Sequence, residues 1–381
     1  MSSVLIRLTF IVMIGVIFLG CEDQSKIKAS GKTIEIGVIV PLSGARKMLG
    51  VKALIGLNAA YALKPLSPAG DKIVLHIEDN NSSIEESKAL LQTFAQNKEI
   101  KAIFILLESN VALAILPTIN QLKIPVIATM ATHESLTKKS HYITRVSSSN
   151  DAQGKIAAFF VHDELMIKKS ALFYDIDSVY STSLALYFEE EFKNIGGKVL
   201  GQLTSDMSKF VLQKSLIDLK KRGVEIIYAS AISEKLLALL QINRDLNLDF
   251  KILGTGNMLA NMSERGITNY VELSHNTFVV AEYFDDRIAS KIEQQIQRYS
   301  HDNGVELNTH SLLAYEGYLL LNDTLGKCTT CGRMSLNNAL RNHHGFEGIN
   351  DTIRIKEGDV KRPMFINSIR NEKMYLYVKV F

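Results

Sequence analysis

The chain has 381 residues, a formal net charge of +3, 46% hydrophobic residues and 22% charged ones. So small a charge at this length, with no basic stripe interleaved with aromatics, leaves nucleic-acid binding with little support. Roughly 350 residues of globular character follow position 33. That is more than one core usually supports, so two domains are expected.

The N-terminus reads MSSVLIRLTFIVMIGVIFLGC. Arg7 is the only charged side chain before the apolar run from Leu8 to Leu19, which ends at Gly20 and Cys21. That run is too short for a comfortable membrane span, which needs about 20 residues. A positive start, a short apolar core and a small residue at its end read as a secretory signal peptide over residues 1–20. Phe18-Leu19-Gly20-Cys21 resembles the bacterial lipobox, in which the cysteine is acylated and becomes the mature N-terminus. Several acyl chains attach a protein stably where one is marginal. Residues 21–33 then form a polar tether, with a flexible reach of about 18 Å. The expected location is periplasmic or at the cell surface, held to a bacterial membrane through the lipid anchor alone.

From Ile34 the pattern changes. Ile34 to Val40 is an apolar run broken only by Glu35 and Gly37, as in a strand buried on both faces. A helical spread follows over residues 44–63, then a strand over 73–77, a helix over 84–96, a strand over 102–106, a helix over 110–122 and a strand over 126–128. A second set alternates strands at 171–174, 199–203, 225–229 and 251–253 with helices at 179–195, 208–221 and 234–246. Such alternation predicts parallel sheets covered by helices: an α/β fold of two doubly wound lobes. From Ile288 successive helices appear, and three short strand-like segments after them predict antiparallel additions. Ligands of such sheets bind beyond the carboxyl ends of strands, where helix starts present free N–H groups. The loops after Val40, Leu106, Ala128, Tyr174, Ala229 and Leu253 are therefore the ones to inspect.

Apart from Cys21, the cysteines form one C-x-x-C, Cys328 and Cys331, within GKCTTCGR. In an oxidising compartment the pair reads as a local disulfide that tightens the loop. A thioredoxin-like motif would sit at a helix start after a strand, whereas the preceding stretch reads as helix. A zinc site would want a second ligand pair, and His343-His344 is too isolated to supply it. No G-x-S-x-G, H-E-x-x-H or G-x-x-x-x-G-K-S/T pattern occurs. Gly254-Thr255-Gly256 starts a dinucleotide-loop pattern that fails at Leu259. The chain therefore reads as a binder rather than an enzyme, with no cofactor and no metal.

Eight segments then follow in order. IGVIVPLSG begins at Ile36, HIEDNNSS at His76, SNVALAILP at Ser109 and IPVIATMATHESLT at Ile124. YDIDSVYSTSLA begins at Tyr174, FKNIGGKV at Phe192, AYEGYLL at Ala314 and FEGINDTIRI at Phe346. Taken together, over nearly all of Ile34 to Val380, they resemble the branched-chain amino-acid binding protein family, the type I periplasmic binding proteins of ABC importers. The resemblance implies two lobes that close on a small-molecule ligand and present it to an ABC permease. It implies a first lobe of residues 34–148 plus 283–343 and a second of 149–282 plus 344–381, with chain crossings near 147–151, 281–285 and 343–346. It also implies that Ser109, at a helix start, and the loop Met130-Ala131-Thr132 hold a ligand carboxylate, with Tyr180 brought over it by the second lobe. A hydroxyl beside free N–H groups attracts an anion without a full positive charge. Helix capping by Ser109, turn stabilisation by Thr132 and simple lobe-surface packing by Tyr180 are the plain structural alternatives.

Two positions depart from the family pattern. Members that bind α-amino acids carry an acid in the loop after Leu253, where this chain has Gly256; an aromatic is frequent after Ala229, where it has Ile232. A buried ammonium without a counter-charge costs several kcal/mol. The expected ligand is therefore a small anionic or neutral polar compound bearing a carboxylate, held also by Arg46 or Lys47, rather than leucine, isoleucine or valine. Asp175, Asp177 and Glu108 are the acids that would otherwise meet an ammonium. The same fold would also serve a lipoprotein that senses a ligand or regulates a protein partner without transport.

Overall fold

The structure is a computed structural model that describes residues 27–231, 234–256, 258, 276–283, 291–305, 307–328, 331–370 and 373–380. The signal-like run, Cys21 and Ile232 lie outside the described residues. Five strands open the fold: β1 (Thr33–Val40), β2 (Lys72–Asp79), β3 (Ile100–Ile105), β4 (Val126–Ala128) and β5 (Ile143–Arg145). They form a parallel sheet of order β2-β1-β3-β4-β5. Ile36, Val38 and Val40 enter one core with Ala102, Phe104 and Ile127, while Ile39 enters another with Ile103, Ile105 and Val126. Both faces are dry, which is why β1 shows an apolar run instead of clean alternation. Helix α1 (Lys47–Leu63) covers the first face; α2 (Ile84–Gln96) and α3 (Ser109–Leu122) cover the second. Ser83 caps α2 by accepting the Glu86 N–H at 3.3 Å, a contact worth about 1 kcal/mol.

A short helix, α4 (Ser135–Lys138), precedes β5, and the chain then leaves through α5 (Asn150–Phe159). The second lobe alternates β6 (Lys169–Tyr174), α6 (Val179–Asn194), β7 (Lys198–Thr204), α7 (Lys209–Lys221), β8 (Ile226–Ala229), α8 (Glu234–Asp245), β9 (Lys251–Thr255) and β10 (Thr277–Ala281). The same two-sided logic holds here. Ala171, Phe173 and Ile227 face α7 and α8, while Leu172, Ile226 and Tyr228 face α5 and α6.

The chain returns to the first lobe in α9 (Lys291–Asn303), α10 (Thr309–Lys327) and α11 (Arg333–Arg341). Gly56 permits the close approach of α1 to α10, since a Cβ there would fall 1.8 Å from the Ser311 carbonyl oxygen. Asn308 and Ser311 cap α10 reciprocally, and the Ser311 hydroxyl also donates to the Lys52 carbonyl at 2.7 Å. Beyond α10, the Cα atoms of Cys328 and Cys331 lie 5.4 Å apart, within the span of a disulfide.

The third crossing differs from expectation. β11 (Phe346–Glu347), β12 (Thr352–Lys356) and β13 (Asp359–Lys361) form a small antiparallel sheet that stays with the first lobe. Phe346, Ile349, Ile353, Ile355 and Val360 join the core beneath α1 and α10. The chain therefore crosses at residues 362–363 rather than near 343–346, because these apolar side chains find their partners in the first lobe. Only then do β14 (Met364–Arg370) and β15 (Lys373–Val380) extend the second sheet antiparallel, giving the order β15-β14-β10-β9-β8-β6-β7.

Candidate functional site

Ser109 begins α3 and is only 3% exposed. Its Oγ accepts the Thr132 N–H at 3.1 Å and lies 3.5 Å from the Thr132 hydroxyl. The first-lobe residues expected to act together are thus in one place. Met130 and Ala131 turn their side chains into the cores on opposite faces of the sheet, so what they offer a ligand is main chain. Arg145 fixes this loop from below. It is wholly buried, donates from Nη1 to the carbonyls of Thr132 at 2.8 Å and His133 at 2.7 Å, and pairs through Nη2 with Asp359. A hydroxyl pair at a helix start, over a loop pinned by a buried guanidinium, suits an anionic group.

On the second lobe, Tyr180 lies in the first turn of α6, partly buried, with its hydroxyl bonded to that of Thr255 at the end of β9. Burial pushes the Tyr180 phenol up to about 12, and the nearby charge of Glu282 adds to the shift. Gly256 follows, where an added Cβ would meet the Ala281 Cβ at 3.3 Å. Helices α3 and α6 touch across the lobes.

The link between the halves is a residue that the sequence did not single out. Glu282, at the end of β10, is 6% exposed, and its carboxylate accepts the Ser148 N–H. Ser147, one residue back, donates its hydroxyl to the Ala131 carbonyl at 3.1 Å. Hydrogen bonds thus lead from the Ser109–Thr132 loop through the first crossing to Glu282, whose charge acts on the Tyr180 phenol. Burial raises the Glu282 carboxyl above its ordinary range; the Arg362 charge and the Ser148 bonds oppose this, and the Glu316 charge reinforces it. Arg362, on the third crossing, donates to the Glu282 carbonyl at 3.0 Å and to the Glu316 carboxylate at 2.5 Å. Tyr283 donates to the same Glu316 carboxylate at 2.7 Å. One buried network therefore laces all three crossings.

Other expected contributors are placed differently. Arg46 is 53% exposed and pairs with Glu108 at 2.9 Å, so each is occupied by the other at the rim. Lys47, beginning α1, is exposed. Asp175 accepts from Ser205 at 3.0 Å and from the Asp177 N–H at 3.2 Å, which makes it the organiser of its own turn. A cavity of about 880 Å³ between α4, β5, α11 and β13, lined by Lys138, His141, Asn337, Arg341, Lys356 and Asp359 among others, contains none of the expected residues. Among the described residues no cluster of metal-binding side chains occurs, and no helix is long and apolar enough to cross a membrane.

Two doubly wound lobes joined by three crossings, with polar helix starts meeting at the junction, define the type I class of bilobal binding proteins. The chain belongs to the periplasmic binding protein family: the family model described as Periplasmic binding protein matches residues 33–373. Among solved structures it is similar to the leucine binding protein LivK of Thermotoga maritima, at 20% identity and TM-score 0.77, over 91% of this chain and 98% of that one. It is similar to an ABC-transporter solute binding protein of Rhodopseudomonas palustris BisB5 in complex with 3,4-dihydroxy benzoic acid, at 18% identity and TM-score 0.77, covering 91% and 97%. The branched-chain amino acid transporter substrate binding protein LivJ of Streptococcus pneumoniae, in complex with isoleucine, matches at 20% identity and TM-score 0.75, covering 92% and 99%. At these identities the likeness carries the fold. A search of curated proteins returns no match.

Proposed function

We propose that this chain is the extracytoplasmic solute receptor of an ABC importer, lipid-anchored through Cys21, whose lobes close on a small carboxylate-bearing ligand. The observation that carries this is the Ser109–Thr132 pair, buried at the start of α3 and linked through Ser147 and Ser148 to Glu282, with Tyr180 of the second lobe held by Thr255. In this reading the ligand carboxylate takes the place that the Ser109 hydroxyl now fills at the Thr132 N–H. Tyr180 packs over the ligand from the second lobe. Charge-assisted hydrogen bonds of about 1.5–3 kcal/mol each supply the roughly 5.5 kcal/mol of differential binding that drives closure from 1:99 to 99:1. The relatives named above support the carboxylate, since leucine, isoleucine and 3,4-dihydroxy benzoic acid all bear one.

Native mass spectrometry of protein purified without refolding tests the proposal, followed by calorimetry with small carboxylates and their amides. A retained or titrated carboxylate, with the amide bound more weakly, is expected. Preference for the amide, or no small-solute binding at all, would overturn it.

A further inference from the structure

The cavity of about 880 Å³ between α4, β5, α11 and β13 shares no residue with the Ser109–Thr132 pocket. Small-molecule sites occupy about 300–1,000 Å³, so its size suits a solute. One face of α11 lines it. Met334, Asn337, Asn338, Arg341 and Asn342 recur at spacings of three and four, which sets them on one side of a helix. Two of them are enclosed: Asn337 is 3% exposed and Arg341 is 7% exposed. The Asn337 amide donates to the His141 carbonyl at 2.8 Å, while its oxygen is buried with no partner among the described residues. Arg341 directs its bonds to main-chain carbonyls, those of Ser140 at 3.0 Å, Glu357 at 2.6 Å and Ile143. The charges of Asp359 and Glu357 reach it, but among the described residues no carboxylate pairs with it, and Asp359 is taken by Arg145.

The lining is cationic. Lys138, Arg341, Lys356 and Lys361 stand against two carboxylates, Glu357 and Asp359. Lys138 leans toward Asp151 at 3.9 Å, and Asp359 serves Arg145. Setting those two aside leaves Arg341, Lys356 and Lys361 against Glu357, so the surplus is two positive charges by either count. A phosphate monoester carries about −1.5 to −2 at neutral pH and matches that surplus. Inorganic phosphate alone would leave most of the volume unfilled. The remaining wall offers asparagine carboxamides, each both donor and acceptor, which is the chemistry that pairs with hydroxyl groups.

We propose that this cavity is a second solute site, separate from the lobe junction, and that it takes a phosphorylated sugar. The phosphate lies among Arg341, Lys356 and Lys361, and the hydroxyls lie along the asparagine face of α11.

Calorimetry with glucose 6-phosphate, glucose and inorganic phosphate tests this on wild type, on Lys356→Gln combined with Lys361→Gln, on Asn338→Ala and on Ser109→Ala. The two lysines and Asn338 are exposed, so substitution there spares the core. Wild type should bind glucose 6-phosphate more tightly than glucose or inorganic phosphate. Removing both lysines should weaken it by roughly 5- to 30-fold. Asn338→Ala should weaken it by roughly 2- to 10-fold while inorganic phosphate changes little. Ser109→Ala should leave it within about twofold, which keeps this test apart from that of the junction pocket. Inorganic phosphate bound as tightly as the sugar phosphate would overturn the proposal, as would an undiminished affinity without the lysines. A loss confined to Ser109→Ala would put the ligand at the lobe junction and overturn the second site. No binding of glucose 6-phosphate would overturn it and leave the carboxylate receptor standing.

Discussion

Replacing Arg362 by Met tests whether the buried network holds the crossings together. Methionine keeps much of the stem that lies over the Tyr283 ring, where the guanidinium carbon now sits 4.6 Å from the ring centroid. What goes is the one cation that, among the described residues, lies between two enclosed carboxylates, together with bonds at 2.5 Å to Glu316 and 3.0 Å to the Glu282 carbonyl. Breaking a buried pair from one side costs about 3–5 kcal/mol. At about 2.1 cal/mol/K per residue, a body of roughly 350 residues unfolds with an entropy near 0.7 kcal/mol/K, so Tm should fall by about 4–7 °C. Differential scanning calorimetry at neutral pH reads this directly. The sign of the pH dependence follows from the raised Glu282 carboxyl. A carboxyl held above its unfolded value favours the folded chain while protonated and loses that favour as pH rises through the folded value. The gap between wild type and variant should therefore narrow on acidification. A double variant, Glu316→Gln with Arg362→Met, should recover part of the loss, since it removes one stranded charge. An unchanged Tm at neutral pH, or a double variant no better than the single, would refute the argument.

Ser109→Ala should weaken ligand binding by about 1–3 kcal/mol in calorimetry while moving the melting point of the empty protein by no more than about 2 °C; undiminished affinity would remove Ser109 from the site. Cys21→Ser should abolish metabolic lipid labelling and release the protein from membranes, and persistent attachment counts against the anchor. Thiol counting after acid quench and denaturation should find neither Cys328 nor Cys331 free, and two free thiols would show the pair to be reduced. Burial pushes the His310 imidazole down to about 4, so its contribution to stability is full above about 6.5 and drains as pH falls toward the folded value. His310→Gln should accordingly flatten the curve of Tm against pH between about 6.5 and 4; parallel curves would speak against this burial effect.

Much of the fold was legible because burial on both sheet faces leaves strong marks. Ile84–Gln96 and Val126–Ala128 form with the expected bounds, the helix because its Ser83 cap and its apolar spacing agree. β5 was not legible: it is three residues long and ends in Arg145, a residue that reads as surface until its carbonyl partners are known. The third crossing was misplaced because Thr352–Lys356 alternates buried and exposed positions, as an edge strand of either lobe would. Glu282 escaped notice for a similar reason. In the run AEYFDD it looks like one of several loop acids, and only its enclosure beside Arg362 and Ser148 sets it apart.

The return of α10 and β11–β13 to the first sheet has a consequence for how the molecule is made. The core over one face of β1 and β3 is completed by side chains as distant as Leu320 and Val360, so that face stays uncovered while that part of the chain is unsynthesised. The second lobe waits longer still, since Met364 and Ile366 complete its core beside Leu172 and Tyr228. Contacts of such long sequence separation make folding slow, because loop closure must precede its reward. Each sheet therefore has one face whose core stays incomplete until these late residues are made.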